Sequence, residues 1–125
     1  MTGVLGLRPF VPAKDYPLSA RFYEALGFTP VHRNDHVTLL EMEGFTFILQ
    51  NFFVEQFAAN CMVQLLVGNA DAWWTRIDAE SLVAAFGVKR PLPPVMQPWG
   101  MKVGFVFDPS GVLWHVAERP GQDQS

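Results

Sequence analysis

Few side chains in this sequence can do chemistry near neutral pH. It holds one cysteine, Cys61, and three histidines, His32, His36 and His115. Cys61 and His115 would form a nucleophile–base pair if the fold brought them together across a sheet. A single cysteine in an apolar run is more often a small buried hydrophobe, and no oxyanion-hole motif accompanies it. His115 stands between Trp114 and Val116, the setting of a core or groove histidine rather than of a catalyst. His32 and His36 flank the turn residues Asn34 and Asp35. What the chain holds in excess is aromatic surface, with 11 Phe and 4 Trp. That load either fills the core or lines a cavity or an apolar subunit contact. Phe52, Phe53 and Phe57 fall together in one connection. Connections normally run over the surface, so these three either tuck beneath as a satellite core or line a ligand groove or dimer contact.

The whole chain narrows the field. Its 125 residues make one domain with room for a substantial core. Half are hydrophobic and 17% charged, a globular composition. A net charge of −3 with no basic patch speaks against nucleic acid. One cysteine permits no internal disulfide and fits a reducing compartment. The first ten residues lack the basic and long apolar segments of a signal peptide. No apolar run reaches the ~18 residues of a membrane span. The expectation is a soluble, cytoplasmic protein with no membrane partner.

The elements that would position a site come in two similar sets. Residues 4–11 read as a strand that Pro9 assigns to an edge or a bulge. Asp15 can cap a helix, Pro17 suits its first turn, Leu18, Phe22 and Leu26 form its apolar stripe, and Gly27 closes it. Short strands follow at 29–33, 36–41 and 45–50, and residues 51–60 read as a loop. Residues 61–67 read as another strand and 69–71 supply caps. A helix over 72–78 and 82–86, broken near Ala79, stops at Gly87. Residues 90–94, rich in proline, read as a linker, neither helix nor central strand. A short strand at 88–89 would complete the set. The last unit is a hairpin: strands at 101–107 and 112–117 joined by Asp108-Pro109-Ser110-Gly111. Both halves thus read β-α-β-β-β. Module 1 covers about 4–50, a connection 51–60, and module 2 about 61–118, within a single domain spanning 1–125.

Three sequence features make the pattern specific. One is D-x-x-x-S-x-x-F-Y-x-x-L-G-F, carried by Asp15, Ser19, Phe22, Tyr23, Leu26, Gly27 and Phe28. The second is the D-P-x-G turn of Asp108, Pro109 and Gly111. The third is the module repeat itself. Together they resemble the vicinal oxygen chelate superfamily, which includes glyoxalase I, extradiol dioxygenases and the fosfomycin- and bleomycin-resistance proteins. The Gln97-Pro98-Trp99-Gly100 segment and the His115-Val116-Ala117-Glu118 ending look closest to the bleomycin-resistance branch. The resemblance implies an α+β fold in which two βαβββ modules form a curved mixed sheet with flanking helices, the glyoxalase/bleomycin resistance fold.

It also implies where a metal would be held. The family's ligand positions, counted seven residues before the helix-leading acid and along the last strand of each module, fall on Arg8, Gln64 and His115, with a fourth near Ile48. Arginine has no lone pair to give, and a divalent ion requires three or four N, O or S donors. His115 and Gln64 are the two metal candidates, and Cys61 and Gln50 lie near but out of phase. No metal or other cofactor is therefore expected, the alternative being a divalent ion.

The function so implied is metal-independent binding and sequestration of a small molecule, an aromatic or peptide-like antibiotic, in a groove of a homodimer. The ligand-binding residues expected are Trp99, Gln64, Arg8, His115, Phe52, Phe53 and Phe57, and none is expected to be catalytic. Trp99 matches a groove tryptophan of the bleomycin-resistance branch. Gln64 stands where its best-known members carry tryptophan, and residues 32–37 do not match their groove phenylalanines. The alternatives are a metal-dependent glyoxalase- or dioxygenase-type enzyme, and a module whose groove binds a protein partner.

Overall fold

The computed structural model describes residues 3–120, and its first regular element is the short strand β1, Phe10–Pro12. Asp15 then starts helix α1, Tyr16–Leu26, by accepting a hydrogen bond from the Leu18 amide at 3.2 Å. Pro17 occupies the first turn, where its missing N–H has no partner to lose. Gly27 ends the helix at φ 116°, a left-handed conformation that a Cβ would strain. Strands β2 (Thr29–Arg33), β3 (Val37–Met42) and β4 (Phe45–Gln50) follow antiparallel to one another, and β1 lies parallel against β4. The sheet order is β1-β4-β3-β2.

A short helix, α2 (Glu55–Asn60), leads to the second module. There strand β5 (Met62–Val67) is followed by helices α3 (Ala70–Ile77) and α4 (Ala79–Phe86), then by strands β6 (Leu92–Met96), β7 (Lys102–Phe107) and β8 (Leu113–Glu118). The order is β5-β8-β7-β6, with β5 parallel to β8. The same topology therefore occurs twice, as expected, although in two four-stranded sheets rather than one. The expected break near Ala79 is Asp78, which at φ 53° ends α3 and caps α4 through the Ser81 amide.

Three expectations require correction. The strand expected over 4–11 shrinks to Phe10–Pro12, and residues 3–9 lie exposed ahead of it. The connection 51–60 contains α2 rather than only loop. The proline-rich segment itself supplies the second module's missing strand, β6, in place of residues 88–89. Two prolines fit because β6 is an edge strand whose register shifts between Leu92 and Val95, where Pro93 and Pro94 fall. Gly104 opposite also fits the close approach: a Cβ there would lie 3.2 Å from the Leu92 carbonyl oxygen, tighter than ordinary contact.

The modules are joined through a buried polar cluster. Tyr23 of α1 donates from its hydroxyl to Asp108 Oδ2 (2.6 Å) and accepts from Trp114 Nε1 of β8 (2.9 Å). Asp108 Oδ1 accepts the Ser110 and Val112 amides, each at 2.8 Å, which closes the D-P-x-G turn. Around it the rings of Tyr23, Phe28, Phe47 and Trp114 meet edge-on or tilted, with centroids 4.9 to 6.0 Å apart. Among the described residues, no helix is long and apolar enough to cross a membrane.

Candidate functional site

Strand alternation divides the second sheet into two faces. Val63, Leu65, Val67, Val106, Trp114 and Val116 belong to the core cluster. The intervening residues form the other face, and the register aligns them in rows. Gln64 pairs with His115, His115 with Phe105, and Phe105 with Leu92, giving one row across all four strands. A parallel row holds Met62, Leu113 and Phe107, and another Leu66, Ala117 and Val103. Met62, Leu66 and Leu92 are about half exposed. The His115 and Phe105 rings meet edge-on at 4.9 Å. Gln64 also borders a cleft of about 180 Å³ between β5 and Phe45–Phe47 of β4.

The surface is thus an apolar floor, accessible along the Gln64 and Met62 rows but buried at Ala117 and Val103, and its central row carries an amide and an imidazole. Gln64 and His115, named from the sequence, are neighbours on adjacent strands. Phe105 and Leu92 complete their row and were missed. The turn at 108–111 is the signal that would have found Phe105, because a tight hairpin fixes which residues face each other. Lys89 adds a cation at the Phe107 end, its ammonium 4.8 Å from that ring's centroid.

The other expected site residues lie apart from the row. Trp99 sits in the β6–β7 turn, closed by the hydrogen bond from the Gly100 amide to the Gln97 carbonyl, and is 60% exposed. Arg8 lies in the arm before β1, beside Leu39, Glu41 and Thr46 of the first sheet, in a cleft of about 700 Å³. Phe53 packs against the core beneath the Lys14 ammonium, 5.7 Å from its ring centroid. It shares a cleft of about 630 Å³ with Phe107, Lys89 and the 108–111 turn. Phe52 and Phe57 are exposed. His32 faces Leu39 on β3, and His36 lies in the turn before it.

Two catalytic arrangements can be tested directly. Cys61 precedes Gln64 by three residues, so it lies roughly 10 Å along the strand from the row and is out of phase with it. Burial, aided by the Asp108 charge, pushes its thiol up from the ordinary value, the reverse of an activated nucleophile. Cys61 and His115 therefore do not form a pair.

The metal positions shift once the helix caps are located. Asn69, not Asp71, caps α3, accepting the Ala72 amide at 2.9 Å. Gln64 is thus five residues before its cap, and the matching position before Asp15 is Phe10. The register agrees: Phe10 pairs with Ile48 as Gln64 pairs with His115. The equivalent set is Phe10, Ile48, Gln64 and His115, with Arg8 two residues upstream. Two apolar side chains, one amide and one imidazole do not fit a divalent cation. Among the described residues, no group of three or more His, Cys, Asp or Glu could hold one.

No protein-family model matches the chain, and no curated protein matches its sequence. Solved structures do match its fold. A bleomycin-binding protein complexed with bleomycin superposes with a TM-score of 0.77 at 21% identity, covering 93% of this chain and 99% of that one. The bleomycin-binding protein from bleomycin-producing Streptomyces verticillus, complexed with copper(II)-bleomycin, gives 0.74 at 20% identity over 95% and 99%. A glyoxalase-related enzyme from Fulvimarina pelagi gives 0.65 at 24% identity over 93% and 89%.

Proposed function

We propose that this chain, which has the fold of the glyoxalase and bleomycin resistance proteins, binds an aromatic, antibiotic-like small molecule and sequesters it without transforming it. The observation that carries this reading is the Gln64–His115–Phe105–Leu92 row, a half-exposed apolar floor with two polar groups at its centre. Apolar walls with a few placed polar groups are the usual make-up of small-molecule sites. The four equivalent ligand positions offer two donors, which favours binding over metal-assisted chemistry. Similarity to two proteins whose structures hold bleomycin supports the same reading.

The working unit we propose is a homodimer, acting in the cytoplasm. Leu5 and Leu7 are 99% and 93% exposed, and Val4 and Phe45 about three-quarters exposed. Apolar surface this continuous is seldom left to water. A second copy laid against the arm and the open sheet faces would cover it and turn the flat floor of the second sheet into a groove. Trp99 at the end of that sheet, Arg8 of the arm and the Phe52–Phe57 connection would then border it.

The test is titration of tryptophan fluorescence with a panel of aromatic antibiotics, bleomycin included, on the wild type and on Trp99→Ala. The expected result is saturable quenching with at least one compound, weakened about tenfold in the variant, within the ~1–3 kcal/mol an aromatic contact contributes to a ligand. Equal affinity in both proteins removes Trp99 from the site. Turnover of any bound compound overturns sequestration.

A further inference from the structure

We propose that the open face of the second sheet selects aromatic anions and rejects aromatic cations. This rests on the ligand-binding reading above and adds the charge of the ligand to it.

Where the carboxylates stand carries the inference. On the open face of the second sheet, the side chains of the three rows include no Asp or Glu. The acids nearest in sequence are occupied elsewhere. Asp108 is buried beneath its turn and takes hydrogen bonds from Tyr23, Ser110 and Val112. Glu118 points to the opposite face and accepts the Ala70 amide at 3.0 Å. Asp71 pairs with Lys102, and Glu80 with Arg90. On the first sheet, Glu41 is the acid of the open face, and it shares its cleft with Arg8.

The polar groups that do face this surface are an amide and an imidazole, each able to donate, with the Lys89 cation at its end. Gln64 and His115 stand on neighbouring strands about 4.8 Å apart. That is close enough for an amide N–H and a ring N–H to converge on one carboxylate. Lys89 lies over Phe107 at the end of the same floor. An ammonium set on the central row would lose water and meet no counter-charge there, Glu55 lying beyond Phe107 in a cleft that Lys14 and Lys89 also line, and this is costly. A carboxylate in the same place would gain charge-assisted hydrogen bonds. The Met62, Leu113 and Phe107 row beside it supplies surface for a flat ring system, whereas Ala117 and Val103 on the other side are buried.

The test uses three ligands with one ring system: 2-naphthoate, 2-naphthamide and 2-naphthylmethylammonium, titrated calorimetrically into the full chain and into Gln64→Glu. The expected order in the wild type is naphthoate, then naphthamide, then the ammonium, with roughly tenfold or more between the first and last. Gln64 is exposed, so the glutamate variant keeps the fold, and in it the ammonium becomes the tighter ligand. Equal or tighter binding of the ammonium to the wild type overturns the charge selection and leaves the binding reading intact. An unchanged order in Gln64→Glu overturns it as well. No binding of any of the three at millimolar concentration overturns the binding reading itself.

Discussion

Replacing Tyr23 by phenylalanine removes one oxygen atom from the middle of the protein and strands two buried partners. The Tyr23 hydroxyl donates to Asp108 Oδ2 at 2.6 Å and accepts from Trp114 Nε1 at 2.9 Å. Both partners are almost wholly buried, so water does not replace the oxygen. A hydrogen bond to a charged group contributes about 1.5–3 kcal/mol, and an unsatisfied buried donor costs about 1–3 kcal/mol. The sum is roughly 2.5–6 kcal/mol, a large part of the ~5–15 kcal/mol that holds a domain folded. The loss also depends on pH. Burial holds the Asp108 carboxyl above its ordinary value, while the hydrogen bonds from Tyr23 and the turn amides pull it down. A carboxyl raised in the fold binds its proton more tightly there than in the unfolded chain. It therefore subtracts stability as pH rises from the ordinary carboxylate range through its folded value. Without the Tyr23 hydroxyl that folded value climbs further, so the variant loses more at pH 8 than at pH 5. Tyr23 itself stays protonated across this range, because burial and then the Asp108 charge push its phenol well above the ordinary value. Urea unfolding of wild type and Tyr23→Phe at both pH values measures the effect. A loss under about 1 kcal/mol, or the same loss at both pH values, would refute the account of the cluster.

Two further results follow from the site. Metal-stripped protein titrated with Ni, Zn, Mn or Fe(II) is expected to show no tight stoichiometric binding, since Phe10, Ile48, Gln64 and His115 supply two donors between them. Tight binding that disappears in His115→Ala would reverse that conclusion and direct attention to lyase or dioxygenase chemistry. In sedimentation experiments the wild type is expected to be a dimer. Leu5→Asp combined with Leu7→Asp is expected to shift it towards monomer with its helical circular dichroism unchanged; an unshifted dimer would place the interface away from the arm.

How far the fold could be read from residues depended on how local the cause was. Helix α1 was legible end to end, because Asp15, Pro17 and Gly27 act within one turn of where they stand. Strand β4 was legible because Gly44 and alternation bound it. Strand β6 was not, since two prolines argue against a strand until one knows that it lies at an edge with a shifted register. Helix α2 was hidden by the phenylalanines around it. For the site, Gln64 and His115 were found by position, but Phe105 and Leu92 required the pairing. Arg8 came from counting seven residues back from Asp15, as the resemblance implies, whereas strand pairing sets Phe10 opposite Ile48 as Gln64 is set opposite His115. The Tyr23–Asp108–Trp114 cluster joins residues 85 and 91 positions apart, a separation over which residue patterns carry no direct signal.

That separation bears on how the chain comes to be folded during synthesis. The first module leaves the ribosome complete in its own strands and helix, yet the partners of its central tyrosine do not exist. Trp114 is translated 91 residues after Tyr23, which at ~5–20 residues per second is a delay of roughly 5–18 seconds. In the later part of that interval, once Phe47 has been made, the aromatic face of Tyr23, Phe28 and Phe47 has no Trp114 to close it, and the nascent half-protein presents it to whatever else is nearby. Slow translation late in the message would lengthen that exposure, and chaperone contact during it would have its largest effect on yield.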